Sequence, residues 1–306
     1  MRCLKCLILV VGLLLMVDLT SAEEISEGEV SGEISIQEEV TTPQKEASSL
    51  TPKESTTFSP TLFIFDEEKS EVTYLIKKTL EPRSTLSSTF TKLIREGKTV
   101  YKLTQSGKGN YDKYEDITWT VEAEMEEKDG FLLPNYSIHT LFDNTGKTII
   151  KYEKKYDYDK EKIFYTATDA NGKVLKNNTF PMKGKTVDDF TMVSFLRKFI
   201  PHLNEEGYKT YYLLTSEPKL YKIDIKVIGE ETLELPAGKI ETIKIRIIPD
   251  LGLLTGVAKA MVPPTYLWFT KKEPYMWVKY EGLECGLGST HIVNYITQSQ
   301  PPLPTE

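Results

Sequence analysis

Residues 117–142 have the sequence ITWTVEAEMEEKDGFLLPNYSIHTLF, and this stretch decides the fold class. β-Branched and aromatic side chains recur at every second position of residues 117–125, a period that is typical of a half-buried strand. Gly130 ends the turn that follows and can adopt the positive φ that a hairpin turn or bulge needs, and a second strand is predicted over residues 131–142. Because strands joined by so short a turn are antiparallel neighbours, the stretch predicts an antiparallel hairpin.

The same alternation continues on both sides of this hairpin. Further strands are predicted at residues 71–80, 86–94, 100–105, 147–156, 163–168, 208–216, 219–227, 231–235, 239–248, 265–270, 275–280 and 290–296. No linker or repeat interrupts residues 61–297. The sequence therefore predicts one mainly β (α+β) domain, built on a single large curved antiparallel sheet or open half-barrel.

One segment of this domain has a helical period. From Val187 to Ile200 apolar residues recur at intervals of three and four, which predicts a helix over about residues 186–200 with Thr186 as its cap. Such a broad apolar face indicates that the helix packs into something concave. We interpret it as a core helix that fills an open sheet, with a mobile gate as the alternative.

The composition excludes several classes of protein. The chain has 306 residues, 40% of them hydrophobic, with 45 acidic and 38 basic residues and a net charge of −7. This composition is not that of a wholly disordered chain or of a bundle of membrane helices. The negative balance also argues against nucleic acid as a partner, since a nucleic-acid-binding protein has a basic surface.

Residues 1–22 are predicted to be a signal peptide. Arg2 and Lys5 precede an apolar run from residue 7 to 17, and small residues follow up to Ala22, where cleavage is expected. The run is too short for an ordinary membrane span, although a retained anchor is the alternative. We therefore expect an exported protein with no integral membrane span after cleavage.

The two ends of the mature chain have a different composition from the domain. Residues 23–60 contain nine Glu, two Lys and many Ser, Thr and Pro, which predicts a disordered acidic tether. Residues 298–306 contain three Pro and are predicted to form an extended tail.

No catalytic residue, metal site or cofactor is predicted. The common nucleophile, metalloprotease and nucleotide-binding motifs are absent from the sequence. His139, His202 and His291 are far apart, and we expect hydrogen-bonded structural histidines rather than a three-histidine metal site. Cys285 is the one cysteine left after signal cleavage, and a small buried apolar role is favoured over that of a nucleophile.

Aromatic residues are concentrated near the end of the domain. If residues 271–274 form an even-numbered hairpin loop, Trp268 lies opposite Trp277 and Tyr266 lies opposite Lys279. These rings then form one strip of a kind that contacts a lipid tail, a glycan ring or a partner chain.

The alternative is that the same rings pack beneath the helix. In that case they contact Phe195 and Phe199, because aromatic residues commonly fill the cores of β domains. The candidate ligand-binding residues are accordingly Phe195, Phe199, Tyr266, Trp268 and Trp277.

Four motifs in the second half of the domain resemble a known family. They are residues 195–197, which end the predicted helix, the hairpin at 235–242, the strand at 267–270 and the Gly-rich stretch at 286–289. They occur in the order seen in domain of unknown function 3108, and the resemblance is clearest over residues 180–297. It implies an exported bacterial β domain of the periplasm or cell envelope, without an established activity.

Three functions remain open. The first is a non-catalytic envelope protein that binds a hydrophobic small molecule, such as a lipid, in the concave face of its sheet; it predicts an apolar cavity beneath the helix. The second is a structural or protein-interaction module with an envelope protein as partner. The third is a glycan-binding or glycan-processing protein, which needs two carboxyl groups beside aromatic rings.

Overall fold

Fifteen strands and one short helix account for most of the protein that the structure describes. The computed structural model describes residues 65–200, 209–250, 263–286 and 288–304, all within the unit Thr56–Glu306. The strands are β1 Glu67–Ile76, β2 Pro82–Arg95, β3 Lys98–Tyr111, β4 Tyr114–Lys128, β5 Phe131–Phe142, β6 Thr148–Asp157, β7 Lys162–Asp169, β8 Val174–Pro181, β9 Thr186–Asp188, β10 Lys209–Leu214, β11 Leu220–Leu235, β12 Gly238–Pro249, β13 Thr265–Thr270, β14 Trp277–Leu283 and β15 His291–Gln300. The helix, α1, is Met192–Arg197.

All fifteen strands belong to one sheet. Their order is β8-β7-β6-β5-β4-β3-β2-β1-β15-β14-β13-β12-β11-β10-β9, so β8 and β9 are its two edges. Within the described residues every pair of neighbours is antiparallel except β9 and β10, which are parallel. The predicted fold class, one open curved sheet with one packed helix, is confirmed.

The turns explain why consecutive strands pair. β4 and β5 are joined by Asp129 and Gly130 alone, with φ of 51° and 77°. Two successive positive φ angles match the twist of a two-residue hairpin. In the next connection Asp143 Oδ1 accepts hydrogen bonds from the backbone N–H of Thr145, at 2.9 Å, and of Lys147, at 3.0 Å. Local turn chemistry therefore sets the antiparallel order in this half of the sheet.

Contacts between distant strands show that the sheet is curved. Tyr165 of β7 donates a hydrogen bond from its hydroxyl to the carbonyl of Ser216, which follows β10, at 3.1 Å. Ser137 of β5 donates to Asp188 of β9 at 2.6 Å. Strands at one end of the sheet order thus reach those at the other end across a concave face.

The helix is shorter than the sequence predicted. The prediction of a helix over residues 186–200 is wrong at its start, because Thr186–Asp188 forms β9 and α1 begins at Met192. Asp188 Oδ1 accepts hydrogen bonds from the backbone N–H groups of Phe190, at 3.1 Å, and Thr191, at 2.9 Å. This side-chain turn ends the strand before the helix begins, and Thr191 rather than Thr186 is the N-cap.

One face of α1 packs into a solid apolar core. Phe195 is fully buried and Phe199 nearly so, with ring centroids 5.3 Å apart. Tyr211 of β10 meets each of these rings edge-on at 4.9 Å, and Phe131 of β5 lies 5.7 Å from Phe195. The prediction that the helix packs in the concavity of the sheet is confirmed.

Other parts of the chain depart from the sequence prediction or lie outside the described residues. β8 was not predicted, and nearly all its side chains are exposed. Leu303, in the predicted tail, is buried against the core. The predicted signal peptide and tether, residues 1–22 and 23–60, fall outside the described residues. Among the helices that are described, none is long and apolar enough to span a membrane.

Candidate functional site

A cavity of about 350 Å³ lies between α1 and the concave face of the sheet. Met192, Val193, Ser194 and Arg197 line it from the helix. Apolar side chains of the sheet form much of the remaining wall; they include Val72, Leu86, Phe90, Leu103, Ile223, Leu267, Ile292 and Ile296. Ligand pockets typically have volumes of roughly 300 to 1,000 Å³ and mostly apolar walls.

Small residues on the inward row of β2 help to keep this space open. Leu86, Ser88 and Phe90 line the cavity, while Ser87 between them is exposed on the other face of the sheet. Ser88 Oγ accepts a 3.4 Å hydrogen bond from the side-chain amide of Gln105 on β3. Because Ser is much smaller than its two neighbours in the row, the wall is hollow at this position.

Gly107 allows an indole to form part of the wall. Gly107 on β3 pairs with Trp119 on β4, and a Cβ added to this glycine would lie 2.1 Å from the Trp119 ring. The indole therefore lies directly over the glycine. A glycine at this point of β3 lets Trp119 lie across the neighbouring strand and line the cavity.

A buried ion pair closes the cavity near α1. The Arg197 guanidinium donates to both carboxylate oxygens of Glu68, at 2.7 and 3.0 Å. It also donates from Nε to the carbonyl of Pro274 at 3.2 Å. Both side chains are less than one-tenth exposed. The bidentate geometry fixes the helix to β1 and to the connection between β13 and β14.

Tyrosines gather at another part of the wall. Tyr74, Tyr111 and Tyr280 line the cavity, and burial is the main cause that raises the pKa of each hydroxyl. These hydroxyls therefore stay protonated and neutral at physiological pH. The Tyr280 hydroxyl donates to the carbonyl of Leu283 at 2.6 Å. Asn294 lies beside them, and its Oδ1 has no hydrogen-bond partner within the described residues.

Cys285 lines the same part of the cavity. Burial is the largest cause that raises the pKa of its thiol, and the nearby Glu284 carboxylate raises it further. The thiol is therefore protonated at neutral pH, which makes it a poor nucleophile. Cys285 is only partly buried, so its predicted role as a small buried apolar side chain stays a prediction.

Glu284 is itself neutralised by Arg83. The guanidinium donates to both carboxylate oxygens, at 2.8 and 2.7 Å, and the backbone N–H of Asp112 donates a third bond at 2.8 Å. The hydrogen bond with Glu284 is the main cause that raises the pKa of Arg83. The opposite charges of Arg83 and Glu284 therefore balance at this part of the wall.

The histidines are not gathered at one site. His139 is buried against rings of Tyr111, Tyr152 and Phe190, at 5.0 to 5.8 Å between centroids, and neither of its ring nitrogens has a hydrogen-bond partner among the described residues. The prediction of a hydrogen-bonded histidine is wrong at this position. Burial, followed by the charge of Lys154, lowers the pKa of His139 to about 3.

The other two histidines lie elsewhere. His291 precedes the cavity-lining Ile292 on β15, so it points to the opposite face of the sheet. His202 falls outside the described residues. No group of three His, Cys, Asp or Glu that could hold a metal ion occurs in the part of the chain that the structure describes.

The structure brings only one of the five predicted ligand-binding residues to the cavity. Trp277 lines it, and its Nε1 is buried without a hydrogen-bond partner in the described part of the chain. Phe195 and Phe199 belong to the solid core on the other face of α1. Trp268 and Tyr266 do not line the cavity; Trp268 is buried against other strands and donates from Nε1 to Glu231.

The predicted strip of rings fails because of a register shift. Trp268 lies opposite Lys279 and not opposite Trp277, and Phe269 is the partner of Trp277. An irregularity between Trp268 and Phe269 moves the pairing by one position. A one-residue shift sends side chains to the opposite face of a sheet, so Trp277 does not continue a cross-strand strip with Trp268 and Tyr266.

Sequence reasoning missed the polar residues of the wall. Asn294 lies between Ile292 and Ile296 on the inward row of β15, and Tyr74 follows Val72 on that of β1. A polar side chain at an apolar position of a period-two pattern is the signal that could have identified Asn294. The approach of Tyr111 and Cys285 to these residues depends on the curvature of the sheet and has no local signal.

Comparison with models of protein families shows which family the chain belongs to. The model described as Protein of unknown function (DUF3108) matches residues 69–284. The chain belongs to this family. The match covers the strands from β1 to β14, so it includes nearly the whole cavity wall. The predicted resemblance is confirmed, and it extends over more of the chain than the sequence motifs indicated. No curated protein matches this member of the family.

Solved structures similar to this family member are distant in sequence. A β-barrel-like protein of domain of unknown function DUF1849 from Brucella abortus has 9% identity and a TM-score of 0.46, over 77% of this chain and 97% of that one. A provisionally assigned lipoprotein from Parabacteroides distasonis has 8% identity and a TM-score of 0.31, over 77% and 95%. A provisionally assigned exported protein with a YmcC-like fold from Bacteroides fragilis has 8% identity and a TM-score of 0.30, over 76% and 95%.

Proposed function

We propose that this protein is a non-catalytic exported protein of the bacterial periplasm or cell envelope, which binds a hydrophobic ligand such as the acyl chain of a lipid. The site is the cavity between α1 and the sheet. The predicted signal peptide and the family resemblance support the location. The single observation that supports a hydrophobic ligand is the cavity of about 350 Å³ with its largely apolar wall.

The apolar residues of the wall support an apolar occupant. Leu86 and Phe90 line the cavity on one side, and Ile223 and Leu267 line it on the other. Burial of apolar ligand surface against such walls is favourable by roughly 25 cal/mol per Å². An acyl chain offers that surface along its whole length.

The charged residues of the wall support a non-catalytic role. Glu68 is bound by Arg197, and Glu284 is bound by Arg83. A carboxylate whose two oxygens are both held by a guanidinium is not free to contact a ligand. The pairing also weighs against the glycan-processing alternative, which needs two available carboxyl groups.

Native mass spectrometry of the protein purified from a bacterial periplasm tests the proposal. We expect a bound hydrophobic mass that disappears after extraction with organic solvent. Protein that is isolated gently without such a mass, and that also fails to bind the neutral fluorophore N-phenyl-1-naphthylamine, would contradict it.

A matched pair of variants locates the ligand within the protein. Ser88→Trp places an indole in the cavity, whereas Ser87→Trp places the same group on the exposed face of the same strand. We expect Ser88→Trp to weaken fluorophore binding about tenfold or more, a change of about 1.4 kcal/mol, and Ser87→Trp to leave it unchanged. Equal binding by the two variants would place the fluorophore outside the cavity.

A second candidate function is supported by the edge of the sheet. Among the described strands β8 pairs with β7 alone, and Val174 and Leu175 at its start are about half exposed. An open edge strand can accept a strand of a partner protein. A photo-crosslinking residue at Lys176, compared with one at the exposed Lys108, tests this in the periplasm. Adducts specific to position 176 would favour the protein-interaction module.

A further inference from the structure

We propose that the ligand of the cavity carries a neutral, hydrogen-bond-donating head group of the hydroxyl class, as in a fatty alcohol, and that Asn294 receives this group. The inference rests on the proposed function, since it names the class of ligand that the same cavity takes. It is drawn from the charges of the wall and from Asn294 Oδ1, one of two buried polar atoms of the wall that lack a partner within the described residues; the other, Trp277 Nε1, is a donor, and a hydroxyl can accept as well as donate.

The cations of the wall are already paired. Lys69 and Arg197 are the Lys and Arg residues that line the cavity within the described part of the chain. Lys69 binds Glu67 at 2.6 Å, and Arg197 binds Glu68 through two hydrogen bonds. A carboxylate or phosphate head group would therefore enter an apolar cavity without a free cation to receive it, which is strongly unfavourable.

The carboxylates of the wall leave no place for a cationic head group either. Asp189 is bound by Lys154 at 2.5 Å, and Glu284 is bound by Arg83 at 2.7 Å. A ligand cation would have to displace these partners, which are themselves buried for the most part. A neutral head group avoids the loss of an ion pair in both cases.

Asn294 supplies the polar contact that a neutral head group needs. The residue is only 5% exposed, it lines the cavity, and its Oδ1 has no hydrogen-bond partner within the described residues. Buried acceptors are almost always satisfied in folded proteins, so an unpaired one in a cavity wall points to a donor on the ligand. A hydroxyl group is the simplest neutral donor.

No neighbouring side chain of the described residues donates a hydrogen bond to Asn294 Oδ1. Tyr280 lies opposite Asn294 in the sheet, but its hydroxyl donates to the carbonyl of Leu283. Tyr74 is also opposite Asn294, on the other neighbouring strand, and its hydroxyl shares a hydrogen bond with the Asn294 side chain that leaves Oδ1 unpaired within the described residues. The two rings form neutral walls on both sides of the amide, so a small head group meets no charge at this point.

Three ligands with the same twelve-carbon chain test the inference in the full-length mature protein. They are 1-dodecanol, which has a donor, methyl laurate, which has none, and laurate, which is an anion at pH 7.5. Each is titrated against protein that holds N-phenyl-1-naphthylamine. We expect 1-dodecanol to displace the fluorophore at roughly tenfold lower concentration than laurate and about fivefold lower concentration than methyl laurate.

Asn294→Leu removes the acceptor and keeps the branching and the number of side-chain heavy atoms, and Asn177→Leu on the exposed strand β8 is its matched control. We expect Asn294→Leu to bring 1-dodecanol and methyl laurate to equal affinity, and Asn177→Leu to keep the wild-type preference. Two results would overturn the inference: equal displacement of the fluorophore by laurate and 1-dodecanol, or an equal loss of affinity for all three ligands in Asn294→Leu. Either result would leave the proposal of a hydrophobic cavity intact.

The wild-type series alone is decisive if Asn294→Leu does not fold. Methyl laurate that binds as tightly as 1-dodecanol then overturns the role of the donor. If neither the fluorophore nor any of the three ligands binds, the proposed function fails together with this inference.

Discussion

The two faces of α1 differ in how the space beside them is used. On the filled face, Phe195 packs together with Phe199, which follows the helix, and both rings meet Tyr211 in a solid core. On the hollow face, Val193 and Arg197 border a cavity of about 350 Å³. The same helix and the same sheet therefore enclose a packed core and a cavity side by side.

The difference comes from the size of the inward-facing residues. Large rings meet on the filled face, whereas Ser70 and Ser88 occupy inward positions on the strands of the hollow face. Protein interiors are normally packed as densely as organic crystals, and the filled face follows that rule. A fold of this kind can thus pack one face of its helix densely and leave a cavity beside the other.

The filled face is expected to be the larger source of stability. Phe195→Ala removes a fully buried ring and should lower the free energy of unfolding by about 4 kcal/mol. Urea denaturation followed by circular dichroism measures the change. Phe164→Ala, at a ring that is 36% exposed on β7, is the control and should cost less than about 1 kcal/mol. Equal losses would mean that the filled face has no special role.

Arg197 connects the helix to the hollow face. Arg197→Met leaves the Glu68 carboxylate buried without its partner, and we expect a loss of about 3 kcal/mol in the free energy of unfolding. The double variant Glu68→Met with Arg197→Met removes both charges and should recover most of that loss. Urea denaturation of the single and double variants measures how much of the free energy of unfolding is recovered. A double variant that is less stable than either single variant would contradict the pairing.

Much of this fold could be predicted because the relevant signals are local. The alternation in residues 117–142 and the turn at Asp129 and Gly130 identify the hairpin of β4 and β5, which the structure confirms. β8 was missed, since Val174–Pro181 has hardly any buried side chains and so no period-two pattern of burial. The predicted start of the helix was too early. The side chain of Asp188 forms a turn with the backbone N–H groups that follow it, so the first apolar residues of the pattern belong to a strand and the helix begins after the turn.

The site could be predicted only in part. A cavity beneath the helix was expected, but of the five candidate residues only Trp277 lines it. The irregularity after Trp268 has no sequence signature, and it changed which rings share a face. The group formed by Asn294, Tyr111 and Cys285 joins residues from distant strands, so only the curvature of the sheet brings them together.

His139 offers a pH-dependent test of the packing behind the hollow face. Its pKa is lowered from 6.5 to about 3 by burial and by the charge of Lys154. Between these values the unfolded chain binds a proton that the folded chain does not, so stability falls as the pH decreases. From pH 7.5 to pH 5, His139 should account for a loss of about 2 kcal/mol.

His139→Phe should remove that part of the pH dependence. Urea midpoints of wild type and variant at the two pH values measure it. Tyr152→Phe is the control, because Tyr152 contacts His139 and burial raises its pKa to about 12, far above this range. An unchanged dependence in His139→Phe would show that the histidine is charged or exposed in the folded protein.

The smallest expected effect is that of Ser88→Phe, and its comparison with Ile225→Phe contrasts the two faces directly because the same ring is added to each. Ile225→Phe enlarges a fully buried residue of the filled face, where overpacking should cost about 1 to 3 kcal/mol. Ser88→Phe places a ring in the cavity, where space is available, and we expect a change below about 1 kcal/mol. Thermal unfolding of the two variants measures both values. If Ser88→Phe is as destabilising as Ile225→Phe, the hollow face is packed as tightly as the filled one, because only existing space accommodates a new ring without displacing its neighbours.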